Sequence, residues 1–205
     1  MKFRGLGIAL LLILMVQTGV FGQATTTRGS GGSITTKLGY GIALNEESTL
    51  QREWITVHDP SMLADIEGTS GVNCIYKSGD SYSSGGYSYE IMYSLKALAN
   101  IVAFEIRILT FDVWGNHVRN LTSTEIVDLK TGVRKPFKGK WNIYSENEVA
   151  EHYASIVYVA QVRTSNGRVL KPNPKIILEE AQKFSNKFAE SDLESTKIEE
   201  KLRLH

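Results

Sequence analysis

Tyr87 to Leu95 alternates between two faces residue by residue, and this period of two limits most strongly what the chain can become. Tyr87, Tyr89, Ile91, Tyr93 and Leu95 fall on one side, with Ser88, Glu90, Met92 and Ser94 on the other. Successive side chains of a strand point to opposite faces, so the pattern reads as a strand with one buried and one largely polar face. Phe137 to Ile143 repeats it, with Phe137, Trp141 and Ile143 opposing Lys138, Lys140 and Asn142. In Ser155 to Arg163, the residues Ile156, Tyr158, Ala160 and Val162 share a side, and Arg52 to Val57 and Ala64 to Tyr76 supply less regular strands. Ile101 to Val113 places Val102, Phe104, Ile106 and Ile108 together. Its other face begins with Glu105 and Arg107 but turns apolar at Leu109, Phe111 and Val113. A change of phase near Thr110 predicts a bulge or a strand that switches neighbours.

Turn chemistry separates these runs. Asn166-Gly167 lies between Val162 and Val169, and Gly115-Asn116 between Val113 and Val118, both as hairpin signals. Asp59-Pro60, Gly79-Asp80, Gly85-Gly86 and Thr131-Gly132 mark other reversals. About seven to eight short strands over about 120 residues predict an all-β chain, an Ig-like antiparallel β-sandwich.

After Pro172 and Pro174 the period becomes helical. Ile177, Ala181, Phe184 and Phe188 fall on one face, so a C-terminal helical extension is expected. Its apolar stripe either docks on the sandwich or serves as a partner helix face; docking is favoured, because an exposed stripe with two Phe invites aggregation. Ser191 and Glu194 have capping-box spacing, which predicts a second helix from Asp192 toward Leu202.

The N-terminus has the layout of a secretory signal peptide: Lys2 and Arg4, an uncharged apolar run from Leu6 to Val16, then small residues. The run is shorter than the roughly 20 residues a bilayer span needs. The expected organisation is a signal peptide at 1–22, a flexible Gly/Ser/Thr-rich leader at 23–48, the sandwich at 49–173 and the helical tail at 174–205. The chain is thereby expected to be exported, secreted or periplasmic, with no integral membrane segment after cleavage.

Thr110-Phe111-Asp112-Val113-Trp114-Gly115-Asn116-His117-Val118-Arg119-Asn120-Leu121 has the form F-D-x-x-G-x-x-V-R-x-L. Gly132, Gly139 and Trp141 follow in order, and Tyr158 to Gly167 closes the unit with a strand and a hairpin turn. Residues 101–173 thereby resemble the Ig-like, fibronectin-III-like domains of flagellar hook-capping proteins and other secreted bacterial proteins. That family usually follows its Trp with Asp-Gly, where this chain has Asn142-Ile143. The resemblance implies an accessory sandwich module and carries no catalytic residues.

Charge and chemistry narrow the function further. Removing Lys2 and Arg4 from 23 basic side chains leaves 21 against 22 acidic, which excludes a general affinity for nucleic acid. Lys130, Arg134, Lys135, Lys138 and Lys140 read as a solvated basic face. Cys74 is the only cysteine, so no intramolecular disulfide can form, and its place beside Asn73 and Ile75 reads as a buried thiol. The four His have no local metal-ligand spacing, and Glu148 and His152 read as part of an acidic, solvated loop. No nucleophile elbow and no phosphate-binding loop is present. Asn120-Leu121-Thr122 matches a glycosylation sequon. The expectation is a non-enzymatic module with no cofactor or metal, making protein contacts in a bacterial envelope or extracellular space. The alternative is a carbohydrate-binding module in which Tyr82, Tyr87 and Trp114 meet a polysaccharide, and a hydrolase with a converged triad or metal site comes third.

Overall fold

The computed structural model describes residues 25–30, 53–77, 86–143 and 152–194. Nine strands form within them. They are β1 (Thr25–Ser30), β2 (Glu53–His58), β3 (Ala64–Lys77), β4 (Gly86–Ala97), β5 (Ile101–Asp112), β6 (His117–Leu129), β7 (Arg134–Ile143), β8 (His152–Thr164) and β9 (Val169–Leu170). One helix, α1 (Pro174–Gln182), and two 3-10 turns, Pro60–Met62 and Glu190–Leu193, complete the described elements. The protein is mostly β, as its period of two requires. The signal-peptide residues, Tyr82 and the loop from Glu146 to Glu151 lie outside the described residues.

The strands divide into a large sheet, ordered β1-β2-β8-β5-β6 with β9 also on β8, and a small sheet, β3-β4-β7. Every pairing is antiparallel except β2 with β8, where Glu53 to Val57 run parallel to Ala154 to Tyr158. The expectation of a wholly antiparallel arrangement therefore does not hold. No hairpin joins β2 to β8; the direction of β2 is set by the corner at Asp59 to Leu63, which passes the chain into β3 of the other sheet. Asp59 builds that corner by accepting from the Ser61 amide at 2.9 Å, and Leu63 closes it with a φ of 55°.

The alternation predicted for β4 is realised. Tyr89, Ile91, Tyr93 and Leu95 are buried and pack against Phe104, Ile106, Ile108, Val157 and Val159 of the large sheet. Trp141 of β7 closes one side of this core, its Nε1 donating to the Thr122 carbonyl of β6 at 3.0 Å. The Trp141 ring lies over Gly139, in the space that a Cβ there would occupy. On the other side Trp54 of β2 lies against the β3 backbone at Gly71.

A second core covers the opposite face of the large sheet. Ile55, Val57, Leu109, Phe111, Ile156 and Tyr158 meet Ile177, Ala181, Phe188 and Leu193 from the C-terminal segment. This explains why β5 becomes apolar on both faces: Leu109 and Phe111 lie under the C-terminal cover. A register shift also sits at Thr110/Phe111 in the β5–β6 pairing, so the bulge is present as well. Each large apolar side chain buried there contributes about 1.5–3 kcal/mol, which orders the tail on the sheet. The stripe read as a candidate partner face is thus consumed in docking.

α1 starts where sequence chemistry places it, with Asn173 capping the Lys175 amide at 3.1 Å and Pro174 in the first turn. It ends at Gln182, so Phe184 and Phe188 belong to the turns beyond it. The capping box expected from Ser191 is replaced by a cap starting at Ala189: Asp192 accepts from the Ala189 amide at 2.8 Å, and Glu194 is already extended. The remainder of the expected second helix lies outside the described residues. Within the stretch read as a flexible leader, Thr25–Ser30 pair with all six residues of β2. Strand pairing uses backbone groups, so a segment without apolar side chains can extend a sheet edge.

Candidate functional site

The β5–β6 turn presents the most exposed aromatic side chain among the described residues. Trp114 is 78% exposed, whereas Trp54 and Trp141 are partly buried in sheet contacts. The turn beneath it is fixed by one carboxylate: Asp112, 7% exposed, accepts from the Trp114 amide at 2.9 Å, the Asn116 amide at 2.7 Å and Asn116 Nδ2 at 2.9 Å. Gly115 takes a φ of 79°, and a Cβ there would collide with the Phe184 carbonyl. The hairpin tip therefore sits directly on the turn that follows α1. Between them lies a groove of about 360 Å³ bordered by Trp114, Asn116, Gln182, Lys183, Asn186 and Lys187.

Of the other aromatic residues proposed for ligand contact, Tyr87 lies in β4 paired with Ile143 and Tyr76. β4 starts, and β5 ends, at the same end of the two sheets, so Tyr87 and Trp114 share that end. Tyr82 falls in the undescribed stretch between β3 and β4.

A second concave surface lies on the outer side of the small sheet. β3 shifts register twice between Ile66 and Val72, and Gly68 takes a φ of 104°. A groove of about 530 Å³ forms there, with Met92, Ser94, Pro136 and Lys138 along its floor and Glu67 and Arg134 at its rim. Met92 is 55% exposed. Glu67 pairs with Lys96 at 3.0 Å and with Arg134 at 3.8 Å, and its carbonyl accepts from Arg134 Nη2 at 2.6 Å. Glu90 pairs with Lys140 at 3.2 Å. The basic face read from the sequence is therefore partly neutralised by carboxylates from β3 and β4. Pro136 and the cations of β7 also mark this strand, which among the described residues pairs only with β4, as a protected sheet edge.

The titratable groups away from these grooves have structural environments. His58 Nδ1 contacts Asp65, and this hydrogen bond holds the Asp65 carboxyl below the usual carboxylate range. Burial pushes the Tyr158 hydroxyl up to about 12, with Arg107 opposing the shift. Burial, reinforced by the Glu125 carboxylate, pushes Tyr93 higher still. His152 is buried at the start of β8 with its ring 5.4 Å from Tyr89, so it is not part of a solvated loop. Among the described residues no three His, Cys, Asp or Glu side chains converge as a metal site. Cys74 lies opposite Tyr89 in the β3–β4 pairing.

Sequence reasoning missed the polar clamps on the C-terminal segment. Asn120 Nδ2 donates to the carbonyls of Asp192 at 2.7 Å and Glu194 at 2.9 Å, while His117 Nε2 lies 2.7 Å from Asn120 Oδ1. Arg107 donates to the Leu193 carbonyl and, at 2.8 Å, to Glu105. The sequon asparagine thus has its amide engaged within the fold. The only sequence signal for this clamp was a polar residue on an edge strand.

No protein-family model matches the chain, and no curated protein matches it in sequence. A solved structure of a hypothetical protein from Peptoclostridium difficile 630 is similar over 59% of this chain and 90% of its own, with 11% identity and a TM-score of 0.39. Similarity at that distance carries no functional argument. Among the described residues no helix is long and apolar enough to cross a membrane.

Proposed function

We propose that this protein is an exported, non-enzymatic, Ig-like module that makes protein contacts through the outer face of its small sheet. Counted from β3, strands one, two and five form one sheet and strands three, four and six the other, a partition that supports the Ig-like, fibronectin-III-like reading. The basic, apolar and small-residue order at the N-terminus supports export to a bacterial periplasm or the extracellular space. The asymmetry of the two sheets carries the protein-contact reading. The large sheet is covered on both faces, whereas no described element covers the outer face of the small sheet, where Met92 stands 55% exposed in a charged-rimmed groove. An apolar centre with a polar rim is the usual anatomy of a protein interface.

The test is affinity capture from native envelope and culture fluid with mature protein, followed by the same capture with Met92→Glu and Lys138→Glu. A specific protein band that disappears in both variants, at unchanged melting temperature, supports the reading. Capture unaffected by both substitutions overturns the assignment of this face.

A further inference from the structure

We propose that the groove between the β5–β6 turn and the turn after α1 is a saccharide site that favours sugars bearing a carboxylate. This goes beyond the protein-contact reading and rests on a different surface. A sugar ring offers two chemistries: a patch of C–H groups that lies on an aromatic ring, and a rim of hydroxyls that both donate and accept. The groove supplies the polar rim, and the exposed Trp114 at its border supplies the ring. Trp114, exposed at 78%, stands on a turn whose backbone is fixed by the Trp114 amide donating to the buried Asp112 carboxylate. A turn whose backbone is fixed before binding loses little backbone entropy on binding.

The polar rim has a defined sense. Asn116 Nδ2 is committed to Asp112 at 2.9 Å, leaving its Oδ1 as an acceptor. Gln182 Nε2 donates to the Phe188 carbonyl at 3.1 Å, leaving Oε1 as an acceptor. Asn186 adds an exposed amide. The charges around the groove are one-sided: Lys183 and Lys187 border it and no carboxylate does. Lys183 is held by Glu180 at 2.6 Å, whereas Lys187 has no ion-pair partner among the described residues. A groove with one aromatic ring, amide acceptors and an unbalanced ammonium fits an acidic sugar better than a peptide, whose anchors need apolar pockets.

The probe is an oligogalacturonate, with a neutral gluco-oligosaccharide of equal length beside it. Both are titrated into mature protein while calorimetry and tryptophan fluorescence are followed. The expected result is binding of the acidic oligomer that weakens about tenfold in Trp114→Ala and severalfold in Lys187→Glu, with melting temperatures unchanged because both side chains are exposed. Raising the salt concentration should weaken it as well. Absence of binding to the acidic oligomer at millimolar concentration overturns the proposal. So does binding that survives Trp114→Ala, and equal affinity for the neutral oligomer overturns the carboxylate preference. Protein capture by Met92-face variants reads the other surface, so the two failures are distinguishable.

Discussion

At Asn120 one side-chain amide joins residues 72 and 74 positions away in the chain, holding the C-terminal segment on β6. Asn120→Ala removes both donated bonds and leaves two carbonyls to find water. We expect a loss of about 1–3 kcal/mol, measured by urea unfolding. A change within experimental error would mean that the clamp adds nothing beyond the apolar cover. Asp65 makes a pH-dependent contribution. Its carboxyl is held low chiefly by the His58 hydrogen bond, so it adds stability above the unfolded value of about 3.9. That stability is lost as the pH falls through the lower, folded value. His58→Ala should therefore flatten the decline in melting temperature below about pH 4 relative to the parent protein. Parallel acid profiles would show that the pair is not coupled to folding. Tyr158 acts in the opposite range: its hydroxyl is raised to about 12, so the associated stability holds below about pH 10 and fades above it.

Among the elements, the C-terminal segment is the one whose role separates two readings. Ile177, Ala181, Phe188 and Leu193 are all buried against the large sheet. Removing everything after Asn173 should lower the melting temperature sharply and produce binding of a hydrophobic dye, because it strips the second core from Leu109, Phe111 and Ile156. An unchanged melting temperature would restore the partner-helix reading. The single substitution Phe188→Ala should cost about 3–5 kcal/mol by the usual range for buried Phe. The β5–β6 turn is the other sensitive element. Gly115→Ala must adopt a left-handed φ and push its Cβ against the Phe184 carbonyl, so it should both destabilise the fold and loosen the Trp114 groove. Trp114→Ala, by contrast, should leave stability intact, and comparing the two melts checks this.

For the molecule as a whole, the two ends of the chain contribute unequally. β1 pairs along a sheet edge with β2, while the C-terminal segment closes a core. Deleting Thr25–Ser30 should therefore lower the melting temperature less than removing the segment after Asn173; the reverse order would make β1 a structural keystone. Much of this molecule was legible in the sequence. The strict alternation of Tyr87 to Leu95 announced β4, the Gly115 and Gly167 turns announced two hairpins, and the helical stripe announced α1. These features are local: a side-chain period or a turn residue reports its own backbone conformation whatever lies nearby. Other features left no local trace. β1 has the composition of a linker and is a strand only because β2 offers an edge. The parallel direction of β2 on β8, the segment that covers the outer face of β5, and the Arg107 and Asn120 clamps all depend on segments far apart in sequence. The groove beside Trp114 belongs to the same class, since its two walls come from turns about 70 residues apart. The sequence by itself determined that the chain is built of strands followed by an amphipathic helical tail, because burial periodicity is written residue by residue. Which strands neighbour one another, what covers each sheet and which polar groups meet were decided only by the tertiary structure, because those contacts bring together residues that no local pattern relates.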